Sequence, residues 1–230
     1  MTAKDHGPSA ATRAAAKVLA GAALKNVQDA EGRVRVEDYV TVLGALTGEA
    51  ALVAAGLFGI ETTAMTPGSA VFGDQINLIL SGDSPDLARL PSQSVMGILV
   101  SELVPAIVPL TLLVPLEELY RRVAASVNTT EWGTVVTTVP ADNKPTVLPI
   151  RAAFELRHAV DAAQAQAGLP LNLRYVPCAL ALCEGVKQVR GSAEVGMVIR
   201  LALEVTFGMA KMVPMSRAAF KSAARPKGDA

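Results

Sequence analysis

Histidine is nearly absent from this chain. Its 230 residues hold two, His6 and His158, so a site that needs several imidazoles from one chain is excluded. Cysteine is as scarce. Cys178 and Cys183 stand in a C-x4-C spacing inside an apolar stretch, which is neither the C-x-x-C redox spacing nor half of a zinc site. Two reduced core thiols and a cytoplasmic, reducing compartment are expected. Net charge is also missing: 21 Lys and Arg balance 21 Asp and Glu. A nucleic-acid binder working through overall charge is normally basic, so no nucleic-acid partner is expected. Aromatic residues make up 4% of the chain. The nucleophile elbow G-x-S-x-G, the phosphate loop G-x-x-x-x-G-K and a G-x-G-x-x-G after a strand do not occur. No cofactor is implied.

An uninterrupted apolar core is lacking in the N-terminal stretch too. The Ala-rich N-terminal stretch is broken by Lys17 and Lys25, so no secretory leader is expected. Arg13, Lys17 and Lys25 mark one basic face of an amphipathic helix, with Ser9 or Thr12 as cap and Gly32 as stop. Two longer runs, Tyr39 to Ile60 and Val95 to Leu116, have the length of a membrane span. Each carries one carboxylate, Glu49 and Glu102, which is costly in lipid. The second also holds Pro105, Pro109 and Pro115, which interrupt a helix. Both are expected as buried segments of a soluble protein. A membrane-associated subunit is the lesser alternative.

What is present is Ala, Val and Leu, a composition that favours helix. Tyr39, Leu43, Leu46, Ala50, Val53 and Leu57 follow the helical period. On another face Gly44-x-x-x-Gly48 lets a second backbone approach closely, so this helix is expected to be central. A brief strand is expected at "RVRV", 33 to 36. The stretch "VFGDQINLILSGDSPD", 71 to 86, reads as helix punctuation, with Asp74 as cap and Gly82 as stop. Thr-Val alternation at 134 to 139 and the turn "PADNKP" predict a short hairpin, with Trp132 as an anchor at its start. "LPLNLRYVP", 169 to 177, reads as extended, Gly168 ends the helix before it, and Ser192 caps the last long helix. The expected fold is mainly α, a single globular helical domain with a minor β-hairpin or small sheet. Its parts are an N-terminal amphipathic helix (1–32), a helical globular domain (33–213) and a basic C-terminal tail (214–230).

"VEDYVTVLGALTGEAALVAAG" followed by "FGDQIN" resembles a group of uncharacterised bacterial proteins, which share a Gly/Ala-rich helix followed by an aromatic-Gly-Asp segment. The resemblance spans about the first half of the chain and implies no activity, cofactor or catalytic residue.

Candidate chemistry rests on polar groups in apolar surroundings. Glu49, Glu102, Glu184 and Glu204 lie in apolar helical runs, where a carboxylate must be paired or protonated. Glu49 and Glu102, with Asp74, are the catalytic candidates. Asn77, Trp132 and Arg121 are the ligand-binding candidates. Glu155-x-x-His158 places both side chains on one helix face, but a single pair makes only a weak metal candidate. Met209, Met212 and Met215 read as packing. The leading expectation is a self-associating binding protein, a homo-oligomer acting through interaction. The alternative is a small-molecule enzyme that uses its buried carboxylates.

Overall fold

Two helices touch backbone to backbone, and the rest of the chain is arranged around them. In the computed structural model, which describes residues 8–56, 59–60, 64–83, 90–106, 109, 114–126 and 135–223, α2 (Val36–Ala54) crosses α8 (Val195–Met209) at Gly44 and Gly48. A Cβ on Gly48 would stand 2.7 Å from Met209 Cβ and 2.9 Å from the Ala210 nitrogen, and one on Gly44 would stand 3.0 Å from the Ala202 carbonyl oxygen. Only glycine admits that approach. The expectation of a close-packed glycine face is met, and the second backbone belongs to the same chain.

α2 is apolar on all sides and buried on nearly all of them, as a core helix must be. Besides α8 it packs on α7 (Tyr175–Gln188) and α6 (Pro149–Ala167). α1 (Ala10–Asn26) lies over α6 and α7. α4 (Val95–Leu103) leans on α7, α3 (Asp74–Ser81) on α4 and α2, and α5 (Leu116–Ser126) on α8. The short α9 (Arg217–Ala223) sets Phe220 on Phe154 of α6, ring centroids 4.5 Å apart. The result is one mainly helical domain, with nine α-helices and no sheet among the described residues. No helix among them is long and apolar enough to cross a membrane. The run from Tyr39 is the central helix. The run from Val95 leaves its helix at Leu103, two residues before Pro105.

Several local expectations are corrected. No strand forms at 33–35, because the Asp29 carboxylate accepts the N–H groups of Glu31 and Arg33 in a turn, and Val36 already opens α2. Residues 171–173 form a 3-10 turn and α7 begins at Tyr175, so Pro177 falls in the first helical turn, where its missing N–H is harmless. The minor hairpin is absent among the described residues. Residues 135–138 pair with no strand, and 141–143 form a 3-10 turn. Carboxylates take the N–H groups that a partner strand would have taken. Glu204 accepts from the Thr138 nitrogen at 2.8 Å, and Asp38 accepts from Thr146 and Val147 at 2.5 and 3.2 Å. Thr134 and Trp132 lie outside the described residues.

The caps are part match, part correction. Ser9 caps α1 by accepting from the Thr12 nitrogen, but α1 ends at Asn26, well before Gly32. Gly73, not Asp74, is the N-cap of α3. Asp74 is its first residue and makes no side-chain cap bond, although its charge still suits the positive helix end. Gly82 ends α3 at φ +73°, which favours glycine. Glu194 caps α8 in place of Ser192, accepting from the Gly196 and Met197 nitrogens.

Cys178 and Cys183 are buried and unbridged. Burial pushes the Cys178 thiol up from 9 to about 12 and raises that of Cys183 as well.

Gly48→Ala gains helix propensity of about 1 kcal/mol but forces α2 off α8. We expect net destabilisation of about 1–3 kcal/mol by urea unfolding. Gly21→Ala, in α1 with open space around it, should instead stabilise by up to about 1 kcal/mol.

Candidate functional site

The carboxylates singled out in the sequence do not meet. Glu49 is held by Arg157 in a two-pronged pair at 2.7 and 3.0 Å. Arg157 also donates to the Met215 carbonyl at 2.8 Å and lies over the Phe154 ring. Glu49 therefore anchors the chain as it leaves the helical core. Glu102 accepts from Arg13 at 2.6 Å and Lys187 at 3.1 Å. The hydrogen bond from Arg13 is the main reason its carboxyl sits below the usual value, against the opposing effect of burial. Lys187 also reaches Glu184. Glu204 is bound by Arg122 at 2.5 Å and by both the N–H and the hydroxyl of Thr138. Arg122 continues to Glu118.

The Glu155–His158 pair is turned to other uses. His158 is exposed and its Nδ1 donates to the Glu155 carbonyl at 3.0 Å, while the Glu155 carboxylate accepts from Arg151. No cluster of three or more potential metal ligands occurs among the described residues.

The remaining candidates gather around a residue to which the sequence reading gave no role, Lys211. The backbone fixes its place. Residues 68–71 run antiparallel to 211–213, with Val71 N–H donating to the Lys211 carbonyl at 2.7 Å and Val213 N–H to the Ser69 carbonyl at 2.8 Å. This short pairing carries the chain from α8 past the entrance to α3. Lys211 is 3% exposed. Its ammonium donates to Asn77 Oδ1 and stands 5.7 Å from the centroids of the Phe72 and Tyr120 rings. No carboxylate lies within ion-pair distance of it among the described residues.

Desolvation lowers the Lys211 amine from 10.5 to about 8, against the weaker pull of the Asp74 charge. Beside it the Tyr120 hydroxyl hydrogen-bonds the Ser81 hydroxyl at 2.8 Å. Burial raises the Tyr120 pKa, so the phenol keeps its proton at neutral pH. Asn77, Ser81 and Tyr120 also line an open cavity of about 630 Å³ between α3 and α5, together with Glu117 and Arg121. Asn77 and Arg121 thus line one cavity, Asp74 lies on α3 where its charge acts on Lys211, and Glu49 and Glu102 lie elsewhere. The available signal for Lys211 was its position as a lone cation between Phe207 and Met215, in the same kind of apolar setting that drew notice to the glutamates.

A second cavity, about 250 Å³ and mostly apolar, lies between α5 and α8 beside Arg122 and Glu204. Its polar groups already satisfy one another. Its wall includes Val135 at φ +55°, seated on Gly208, which is strained backbone for a β-branched residue.

The chain matches no family model, no curated protein and no solved structure.

The sign of the Lys211 contribution follows from its depressed value. Between pH 8 and 10.5 the unfolded chain binds a proton that the folded chain does not, so stability rises with pH there. Below pH 8 both states are protonated and the folded state bears the full penalty of the buried charge. Lys211→Met should therefore resist urea better than the parent near pH 7. That advantage should shrink steadily from pH 8 to 10.5.

Proposed function

We propose that the protein binds a small molecule in the cavity between α3 and α5, and that Lys211 reads an anionic or carbonyl oxygen on that ligand. One observation carries this reading. Lys211, a residue 3% exposed, stands without a carboxylate partner among the described residues, and two of its neighbours, Asn77 and Tyr120, are also cavity wall. A buried charge left without a counter-charge is unfavourable for folding alone, and a negatively polarised ligand oxygen would supply the missing partner. Arg121 on the same wall is a second cation within reach of a ligand oxygen, beside the carboxylates of Asp83 and Glu117. This is the small-molecule alternative with an amine at its centre, the buried carboxylates serving as anchors. A cytoplasmic location belongs to the same reading and is supported by the two unbridged thiols.

Self-association is the second reading. The glycine face that suggested it is occupied by α8. Its support is now the exposed Phe72 and Leu78, large apolar side chains just before and on α3.

A thermal-shift series with small carboxylates and 2-oxo acids tests the first reading. Ligands should raise the melting temperature of the parent protein and leave that of Lys211→Met unchanged. Equal shifts in both proteins would place the ligand elsewhere. Light scattering tests the second reading, with a dimer expected and Leu78→Glu restoring a monomer.

A further inference from the structure

We infer that Lys211 is an imine-forming residue, and that the ligand class is a small aldehyde or 2-oxo acid that becomes covalently held. The inference rests on the binding reading above and names the chemistry of that same site. An amine becomes a nucleophile toward carbonyl carbon when an apolar environment removes its solvation and no carboxylate holds it as ammonium. Both conditions are met among the described residues. The Lys211 amine stands 5.7 Å from the centroids of the Phe72 and Tyr120 rings, and its side-chain hydrogen-bond acceptor among the described residues is the neutral Asn77 amide oxygen. Asn77 accepts one N–H and so orients the nitrogen. Lysines such as Lys17 and Lys25 are exposed.

The step balances without a co-reactant. The neutral amine's lone pair forms the C–N bond as the carbonyl π bond breaks. The carbonyl oxygen takes a proton, for which the Tyr120 hydroxyl is the nearby donor, recharged through Ser81 at 2.8 Å. The nitrogen gives up a proton, the C–O bond breaks with loss of water after a second protonation, and a protonated imine remains. In sum, amine, carbonyl compound and one proton give iminium and water. Asp74, whose charge acts on this nitrogen, stabilises the iminium, and the Tyr120 and Phe72 rings face it. With an amine value near 8, about 10% is neutral at pH 7, against about 0.03% at the ordinary value.

The test is reductive trapping on the full chain. Glyoxylate, which carries both an aldehyde and a carboxylate, is added with sodium cyanoborohydride at pH 7, and adducts are located by peptide mass spectrometry. Lys211 should be modified at least tenfold faster than Lys17 and Lys25, with a rate that levels off above about pH 8. Tyr120→Phe, which keeps the ring and removes the proton donor, should slow trapping by roughly tenfold or more while leaving the glyoxylate-induced thermal shift in place. A shift in melting temperature without a Lys211 adduct would overturn the imine and leave the binding reading standing. Adducts confined to exposed lysines, with no thermal shift, would overturn both. Circular dichroism of Tyr120→Phe and Lys211→Met separates these outcomes from misfolding.

Discussion

The approach of α2 to α8 through Gly44 and Gly48 is the constraint on which the other elements depend. Two helix backbones in contact leave no room for water or for adjustment, so the crossing is set tightly. Two threonines at the crossing satisfy their hydroxyls locally, while the buried Thr41 hydroxyl on the same face of α2 finds no partner among the described residues. Thr47 donates to the Leu43 carbonyl and Thr206 to the Ala202 carbonyl, each within its own helix. With the pair fixed, α7 and α6 cover other faces of α2, and α1 is laid over them. The position of Lys211 follows directly. It lies two residues past the end of α8, where the pairing with residues 68–71 begins.

Around this core, ionised side chains hold irregular segments where a sheet would have used backbone ladders. Asp38 on α2 and Glu204 on α8 receive the N–H groups of the stretch between α5 and α6. Glu49, through Arg157, holds the chain at Met215. Arg13 on α1 and Lys187 on α7 meet at Glu102 of α4. Each carboxylate in an apolar run has a cation or a set of N–H groups, as burial of charge demands. Among the described residues Lys211 departs from this pattern, and that departure is the reason to place chemistry at it.

The helices were legible where one physical cause acts locally. The period of the apolar residues in α2, Ser9 before α1 and Gly168 after α6 announce themselves through side-chain spacing and backbone preference. Expectations failed where a distant group decided the outcome. Thr-Val alternation at 134–139 suits a strand, but the described part of it is tied to α8 by Glu204, some 66 residues on. The apolar "LPLNLRYVP" became a 3-10 turn and a helix start, because neither period nor propensity is strong enough there to outweigh packing.

The candidate site shows the same division. Composition alone determined a helical chain, short of the ligands for a multi-histidine site, with buried polar groups that had to find partners. The Gly44/Gly48 spacing determined that a backbone would come close. Only the tertiary structure decided whose backbone it was, which cation met which carboxylate, and that Lys211 met none among the described residues. A side chain's spacing states its face, a property of a few neighbouring residues. Its charge partner is set by the folding of segments far apart in the chain, as Asn77 and Lys211 are.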